Sequence, residues 1–225
     1  MTPIQTLYKT LRFTSSASAL TEEQIKAILP VLNEEAGARK VKRIKYLLHR
    51  SGLNVIKRLE DFDWLFNPKI PRDRIEAMAS TEWKKDVRNF MLIGPEGVGK
   101  THFANAVCYK AIQQGIPATF ITCDELIKKI SGASNKRALL NHYTTVTLLF
   151  IDEIGYVFPK STEADEIFQI ISRRNELTST ILTTNLIPSH WGKIFGPGTA
   201  TAILDRLSYN GEFIKCDGRS YRRKK

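Results

Sequence analysis

The sequence has no long hydrophobic run, and no apolar segment approaches the roughly 18–20 residues that a membrane-spanning helix requires. Its first residues, MTPIQ, lack the basic and apolar regions of a secretory signal peptide. The three cysteines, Cys108, Cys123 and Cys216, are widely spaced and form no CxxC or Cys/His cluster of the kind that binds zinc. We therefore expect buried, reduced thiols in a cytoplasmic protein with no membrane partner.

Acidic residues are scarce relative to basic ones. The chain has 34 lysines and arginines against 23 aspartates and glutamates, which gives a formal net charge of +11 and a pI of about 9.6. An excess of this size suggests a polyanionic partner, and nucleic acid is the first candidate. A basic surface without a specific partner would have the same composition, so charge alone does not decide between the two.

Acidic residues are absent altogether between residues 36 and 59. Apolar residues recur there at helical spacing, which predicts an amphipathic helix with a basic exposed face. A solvated charge run and a contact surface for the DNA backbone both fit this pattern. We favour DNA because no carboxylate within the run compensates the bases. The candidate contacts are Arg39, Lys40, Lys42, Arg43 and Lys45.

The first 60 or so residues of the chain are predicted to be helical. After a short first helix, the capping-box pattern Thr21–Gln24 predicts the start of a second one. Pro30 falls inside that second helix, so we expect it to be short or kinked. A proline-containing segment further on suggests a boundary between a helical, DNA- or partner-binding appendage at 1–66 and a larger domain at 67–225.

The strongest motif is an apolar run followed by G-x-x-x-x-G-K-T at Gly94–Thr101. Glycines let backbone N–H groups converge on a phosphate, and the helix that follows adds its positive N-terminal end. Lys100 is expected to reach the β- and γ-phosphates, and the Thr101 hydroxyl to hold Mg²⁺. The pattern predicts binding of a nucleoside triphosphate through Gly94, Pro95, Glu96, Gly97, Val98, Gly99, Lys100, Thr101 and His102.

Apolar runs alternate with helical segments beyond this motif. The runs at 118–123, 147–151 and 179–184 are strand-like and almost continuously apolar or β-branched. Asp124, directly after the first run, is expected to cap the helix that follows it. Runs of this kind are typical of strands buried on both sides, and their alternation with helices indicates parallel pairing. We predict an α/β fold of the P-loop type, with a parallel sheet covered by helices on both faces and a helical N-terminal appendage.

Two of the predicted strands end in polar residues. Asp152 and Glu153 follow the run at 147–151, which places both carboxylates at the sheet edge where the P-loop also lies. Asp152 fits the Mg²⁺-associated aspartate of such sites, and Glu153 is placed to deprotonate an attacking water, which favours hydrolysis over transfer to a small substrate. Asn185 follows the run at 179–184 and is expected to sense the γ-phosphate.

Arg206 lies in a short amphipathic stretch, far in sequence from these motifs. We predict that it completes the active site of a neighbouring subunit, since arginines stabilise the charge that develops in phosphoryl transfer. A surface ion pair with Asp205 or another acidic residue is the alternative interpretation. The predicted catalytic residues are Lys100, Asp152, Glu153, Asn185 and Arg206.

The order of the P-loop, the Asp-Glu strand, the Thr-Thr-Asn strand and the Leu-Asp-Arg-Leu stretch resembles AAA+ ATPases of the initiator and helicase-loader group. Within that group, residues 55–225 resemble the IstB-like transposition-helper ATPases of insertion sequences, notably at Arg58–Asp63, Asp152–Tyr156 and Ser220–Arg222. The resemblance implies ATP with Mg²⁺ as cofactors, and a homo-oligomer with active sites at subunit interfaces. It also implies assembly on duplex DNA and action on a cognate transposase.

The same resemblance assigns the helical segment 124–143 to an insertion that faces DNA in this group. Lys128, Lys129, Lys136 and Arg137 then become further candidate DNA contacts, with solvated helix surface as the alternative. Glu96 and Val98 depart from the proline and threonine usual in the family's P-loop. The sequence leaves no room for a separate C-terminal lid domain, so Arg222 would stand in for the sensor arginine that such a lid carries.

Other functions stay open at this point. A replicative helicase loader of the DnaC type would favour single-stranded DNA, whose bases stack on aromatic side chains, but the basic run contains only Tyr46. A DNA-architectural module would use ATP to license assembly with negligible turnover, and Glu153 argues against it. A small-molecule kinase is disfavoured by the Asp-Glu pair and by the net charge of +11.

Overall fold

The computed structural model describes residues 2–223. These form two compact units, one reaching to Tyr46 and the other beginning at Leu47. The boundary predicted between residues 66 and 67 lies inside the second unit. No helix in the described part of the chain is both long and apolar enough to cross a membrane.

The N-terminal unit is helical, as predicted. Helix α1 (Pro3–Leu11) precedes helix α2 (Glu22–Arg50), which continues into the second unit. The capping box forms, since the Gln24 N–H donates to Thr21 Oγ1 at 3.3 Å and the Thr21 N–H donates to Gln24 Oε1 at 2.9 Å. The expected shortening of this helix at Pro30 is wrong. The carbonyl of Lys26 that loses its partner there lies on an exposed helix, where water can solvate it.

The second unit is built on a five-stranded sheet in the order β2-β3-β4-β1-β5, in which every pair is parallel. This confirms the predicted parallel α/β fold. The last strand, β5, was not predicted, because its short run offers little apolar signal. The strands are β1 (Asn89–Ile93), β2 (Ala118–Thr122), β3 (Leu148–Ile154), β4 (Ser179–Thr184) and β5 (Gly211–Lys215).

Helices pack on both faces of this sheet. On β3, Leu149 and Ile151 join an apolar cluster with α5, α7 and α9, while Leu148 and Phe150 are equally buried on the opposite face. The helices are α3 (Arg72–Ala79), α4 (Lys100–Gln113), α5 (Cys123–Ser131), α6 (Lys136–Thr145), α7 (Ser161–Arg174), α8 (Gly192–Phe195) and α9 (Pro197–Ser208). The parallel strands bring the P-loop and the polar ends of β3 and β4 to one edge of the sheet.

Candidate active site

The P-loop joins β1 to α4 through two glycines in left-handed conformations. Gly97 has a φ of 74° and Gly99 a φ of 116°. A Cβ atom would lie 2.0 Å from Ser220 Oγ at the first position and 2.5 Å from the Phe62 ring at the second. Both glycines are therefore required by backbone conformation and by close packing.

Lys100 begins α4 and turns back over the loop. Its Nζ donates to the carbonyl oxygens of Gly94 at 2.8 Å and Pro95 at 2.7 Å. Burial lowers the pKa of Lys100, while nearby acidic groups, including Asp152, act in the opposite direction. The ammonium group of Lys100 is thus held against the loop, and a bound phosphate would stabilise its positive charge further.

Asp152 lies near the end of β3 and is 2% exposed. Its Oδ1 accepts hydrogen bonds from the hydroxyl of Thr101, at 3.2 Å, and from the hydroxyl of Thr183 on the neighbouring strand. Burial raises the pKa of this carboxyl group, and the two hydroxyl donors oppose that shift. The pairing of Thr101 with Asp152 joins the two residues predicted to hold Mg²⁺.

Glu153 has a left-handed backbone, with a φ of 60°, which is uncommon for a residue with a side chain. Its N–H donates to Thr183 Oγ1 at 2.9 Å. Burial raises the pKa of Glu153, and the charge of Asp152 adds to this effect. Thr183 therefore fixes both acidic residues: its hydroxyl donates to one carboxylate and accepts from the backbone of the other.

Asn185 follows β4 and carries a buried amide oxygen. Its Oδ1 is among the few buried polar atoms of residues 2–223 that have no hydrogen-bond partner. A buried acceptor of this kind is normally satisfied by a donor from water or a ligand. The sensing role of Asn185 stays a prediction.

A cavity of about 570 Å³ opens at this edge of the sheet. Its phosphate-binding side carries Lys100 and Thr101, and Glu153 and Asn185 line it as well. Burial, with a further contribution from Glu96, raises the pKa of Tyr156 to about 12. The lining residues are Ile56, Lys57, Asp61, Phe62, Asp63, Glu96, Gly97, Gly99, Lys100, Thr101, His102, Glu153, Tyr156, Thr183, Thr184, Asn185, Tyr221 and Arg222.

Two chain segments outside the sheet close the rest of the wall. One precedes α3 and contributes Ile56, Lys57 and Phe62; the other is C-terminal and contributes Tyr221 and Arg222. The Tyr221 N–H donates to the Gly97 carbonyl at 2.8 Å, which ties the C-terminal segment to the P-loop. Arg222, the predicted stand-in for a lid arginine, lies close enough to Glu153 to favour its ionised form.

These residues fit a magnesium nucleotide. Asn185, with its unpartnered Oδ1, the two left-handed glycines and Thr101 line one cavity, and Asp152 does not line it but accepts a hydrogen bond from Thr101. Within residues 2–223, no group of three or more His, Cys, Asp or Glu side chains could hold a metal ion. Thr101 and Asp152 would hold the ion together with phosphate oxygens, as Mg²⁺ sites in nucleotide-binding proteins do.

The remaining predicted cofactor-binding residues serve the loop in different ways. Gly94 and Pro95 hold Lys100 through their carbonyl groups, whereas the Val98 side chain is fully buried. His102 lines the cavity, and its Nε2 lies 2.7 Å from the carbonyl oxygen of Arg58. Glu96 also lines the cavity, so this departure from the family pattern places a carboxylate beside the phosphate-binding loop.

Arg206 does not line this cavity. It lies on α9, where its Nη1 donates to Ala202 O at 3.3 Å and pairs with Asp205 Oδ2 at 3.2 Å. Its guanidinium carbon lies 5.5 Å from the centre of the Phe168 ring. The ion pair with Asp205, the alternative interpretation, is present, and a role in a neighbour's site stays a prediction.

The nine candidate DNA-contacting residues are all exposed, and none of them lines the cavity. Arg39 forms an ion pair with Glu35 at 2.5 Å, so a carboxylate just before the acid-free run does compensate one of its bases. Lys128 pairs with Asp124 at 2.5 Å, and Lys136 pairs with Glu166. The nine lie on α2 (Arg39, Lys40, Lys42, Arg43, Lys45), α5 (Lys128, Lys129) and α6 (Lys136, Arg137).

Sequence analysis missed several residues of the site. Thr183 is the most informative of them. The sequence feature that could have indicated it is a hydroxyl-bearing residue two positions before Asn185, on the strand next to the one that carries Asp152 and Glu153. Tyr156 and Phe62 were visible only within the motifs of the family resemblance. Asn105, on the P-loop helix, gave no signal, because a polar residue in an otherwise apolar run is common on helices.

A parallel sheet with a P-loop after one strand, an asparagine ending the neighbouring strand and an acidic pair ending the strand beyond it defines a P-loop NTPase of the AAA+ class. The model of the IstB-like ATP binding protein family matches residues 5–225, and the chain belongs to that family. It is 36% identical over 197 residues to the ATP-binding protein of insertion sequence IS21 from Pseudomonas aeruginosa, covering 86% of this chain and 74% of the relative. It is 33% identical over 202 residues to the corresponding IS232 protein from Bacillus thuringiensis, covering 88% and 81%.

Solved structures of replication proteins share the fold. DnaI superposes with a TM-score of 0.61 at 20% identity, covering 73% of this chain and 89% of that one. AMPPCP-bound DnaA from Aquifex aeolicus gives 0.61 at 19% identity, covering 73% and 51%. The DnaC helicase loader gives 0.55 at 20% identity, covering 76% and 99%. At these identities the likeness establishes the fold alone.

Proposed function

We propose that this protein is an AAA+ ATPase that assembles as a homo-oligomer on duplex DNA and helps a cognate transposase, including in capturing and remodelling target DNA. The observation that carries the enzymatic part is the Thr183 bridge, which fixes Asp152 and Glu153 beside the P-loop cavity. The part in transposition is supported by the family and by relatives named as ATP-binding proteins of insertion sequences.

The chain's own residues supply binding and orientation. Lys100, now held by two loop carbonyls, exchanges those partners for β- and γ-phosphate oxygens of ATP. Thr101 and Asp152 would hold the ion, and Mg²⁺ when bound would neutralise charge on the phosphate oxygens. Exchange of neutral carbonyls for anionic oxygens strengthens the hydrogen bonds of the ammonium group.

Glu153 acts as the general base. Its pKa, raised by burial and by the charge of Asp152, makes it a better proton acceptor than an ordinary glutamate. Its left-handed backbone is held by the Thr183 hydroxyl, which sets where the carboxylate can reach a water in the cavity. Asn185, with an unsatisfied amide oxygen, orients that water or contacts the γ-phosphate.

Arg206 completes the active site of the next subunit. Its weak pairing with an exposed aspartate leaves the guanidinium available to a triphosphate, which forms stronger bidentate contacts than one carboxylate. Hydrolysis removes the phosphate that Arg206 contacts and so favours disassembly, because the two nucleotide states then differ in their interface contacts.

Binding to DNA is supported by the net charge of +11 and by the exposure of the nine basic candidates. A surface with this positive charge contacts the phosphates of the DNA backbone and does not need to recognise individual bases. We place the protein in the cytoplasm, where its three buried cysteines stay reduced.

ATP turnover and particle size, measured with and without DNA, test the proposal. We expect duplex DNA to stimulate phosphate release and to enlarge the particles seen by mass photometry, and single-stranded DNA to do so less. Glu153→Gln should retain ATP-dependent assembly, lose about 10²-fold or more in turnover and dissociate slowly, whereas the exposed control Glu176→Gln behaves as the parent.

Three outcomes would overturn parts of this proposal. If DNA neither stimulates turnover nor promotes assembly, the helper function is wrong. If Glu153→Gln assembles on DNA and releases it at the parental rate, ATP only licenses assembly, as in an architectural module. A preference for single-stranded over duplex DNA would support the helicase-loader function instead.

A further inference from the structure

The segment that precedes α3 is bound to the P-loop helix through its backbone. Asn105 Nδ2 donates to the Val55 carbonyl at 2.7 Å, and Asn105 Oδ1 accepts from the Lys57 N–H at 2.8 Å. One turn earlier, His102 Nε2 lies 2.7 Å from the Arg58 carbonyl. Because positions three apart share a face of a helix, one face of the first turns of α4 holds this segment.

Asn105 is unusual among its neighbours on α4. It is 7% exposed and lies within the buried stretch Phe103–Cys108, whose other members are apolar. Burying an amide costs free energy unless its hydrogen-bonding groups are satisfied. The amide of Asn105 is satisfied at both ends, because its NH₂ group donates to the Val55 carbonyl and its oxygen accepts from the Lys57 N–H. A neighbouring β-strand would form the same pair of hydrogen bonds with the segment.

The bound segment forms part of the nucleotide cavity. Ile56 and Lys57 line it, together with Phe62, whose ring packs against Gly99 of the P-loop. Since Lys100 and Thr101 define the phosphate-binding side, this wall is left for the sugar and the base. Asn105 itself does not line the cavity, so it acts on the nucleotide only through the segment that it holds.

We infer that Asn105 is a positioning residue that fixes the base-binding wall of the cavity and thereby sets both nucleotide affinity and the preference for adenine. The inference rests on the proposed function, because it assigns the other side of the same cavity to the base. A backbone held in one place distinguishes adenine from guanine, since the exocyclic group of adenine donates a hydrogen bond where that of guanine accepts one.

Binding of ADP, GDP and inorganic tripolyphosphate to the full chain, measured by isothermal titration calorimetry, tests this role. Tripolyphosphate reports the P-loop without a base. We expect Asn105→Leu to weaken ADP binding by about tenfold, to bring the ADP and GDP affinities closer together, and to leave tripolyphosphate binding unchanged. Asn105→Asp keeps the acceptor for Lys57 N–H but loses the donor to Val55 O, so it should fall between Asn105→Leu and the parent.

Asn89→Leu is the matched control. Asn89 is also a buried asparagine that bridges backbone segments, with Nδ2 donating to Tyr209 O at 3.2 Å and Oδ1 accepting from Thr180 N at 3.1 Å. It lies at the start of β1, at the end of the strand away from the P-loop. A similar loss of stability is expected there, with the ADP-to-GDP ratio of the parent retained.

The outcomes separate this inference from the proposed function. Equal loss of ADP and tripolyphosphate affinity in Asn105→Leu would overturn the positioning role, because the defect would then lie in the P-loop helix. Parental ADP affinity in both Asn105 variants would overturn it as well, and if Asn105→Leu does not fold, Asn105→Asp alone decides. Failure of the parent itself to bind ADP would instead overturn the proposed function.

Discussion

The Thr183 hydroxyl on β4 donates a hydrogen bond to the Asp152 carboxylate on the adjacent strand β3. The same oxygen of Thr183 accepts from the Glu153 N–H, so one hydroxyl group spans both acidic residues. Asp152 is nevertheless desolvated beside a second carboxylate, and burial raises the pKa values of both acids. Without a bound cation, the two carboxylates of the nucleotide site therefore lower the free energy of unfolding.

The first prediction is that Asp152→Asn stabilises the nucleotide-free protein near neutral pH. A folded-state pKa raised above the unfolded value means that the folded protein binds the proton more tightly, so stability falls as pH rises through the folded-state pKa. The asparagine carries no charge and can still accept the Thr101 and Thr183 hydrogen bonds. Thermal unfolding across the acid-to-neutral range should give the variant a higher Tm at neutral pH, with the difference shrinking in acid.

Two comparisons sharpen this measurement. Asp205→Asn, at a largely exposed side chain, should leave the pH dependence of the parent unchanged. Adding magnesium and ADP should stabilise the parent more than Asp152→Asn, because the ion then compensates the carboxylate. A lower Tm of Asp152→Asn at neutral pH without nucleotide would show that burial of this carboxylate does not destabilise the empty site.

The site was predictable where its residues are contiguous. The P-loop, the Asp152–Glu153 pair and Asn185 each lie within one short motif that follows or ends a strand. Parallel pairing brings the carboxyl ends of these strands to one edge of the sheet, whatever the conformation of the connecting loops. Thr183 was not predictable as a bridge, because its function depends on the register of β4 against β3 and on the left-handed backbone of Glu153. Register of that kind is set by packing across the sheet.

Local signals failed in two other places for physical reasons. Asp124 was expected to cap α5, but Thr122 forms the capping box with Glu125, because a strand that ends in threonine can itself provide the cap. Pro30 did not shorten α2, because solvent satisfies the carbonyl that a proline leaves free on an exposed helix. In both cases the outcome depended on the surroundings of the residue, which a sequence pattern does not contain.

The second prediction concerns Arg174, a fully buried arginine whose hydrogen bonds go to uncharged groups. Its guanidinium donates to the carbonyls of Tyr143 at 2.7 Å and Val146 at 2.8 Å, and also to Ser179 O and Thr180 Oγ1. Burial lowers its pKa to about 9, so it is still charged at neutral pH. Arg174→Leu should lower the free energy of unfolding by about 3 kcal/mol or more, because it leaves buried acceptors unsatisfied.

Chemical denaturation would measure this loss. Arg174→Lys should recover part of the stability, since its ammonium group can satisfy some of the same carbonyls. Arg173→Ala, at the exposed neighbouring position, should change stability by less than about 0.5 kcal/mol. An Arg174→Leu protein as stable as the parent would mean that these carbonyls find other donors.

The third prediction concerns DNA binding by helices α5 and α6. Lys129 and Arg137 are exposed there, whereas Lys128 and Lys136 have carboxylate partners. If both contact phosphates, Lys129→Gln with Arg137→Gln should reduce the slope of log K against log salt by about 1.8, at about 0.9 per contact. Fluorescence anisotropy with labelled duplex DNA at several salt concentrations measures the slope.

Lys193→Gln, on α8, is the control for loss of a single positive charge, and an unaltered slope in the double variant would exclude these helices from the DNA contact.

The fourth prediction is that Arg206 acts on the ATP of a neighbouring subunit. Arg206→Ala retains the P-loop, and Lys100→Ala retains Arg206, so each protein alone lacks one half of every active site. We expect each to lose about 10³-fold or more in ATP turnover. Mixed together, the two proteins form some interfaces with an intact P-loop on one side and an intact arginine on the other, and part of the activity should return. Asp205→Ala, which removes only the intrachain partner of Arg206, should keep the parental rate. If the mixture assembles by mass photometry and yet stays inactive, Arg206 does not act across the interface, and its ion pair with Asp205 is its function.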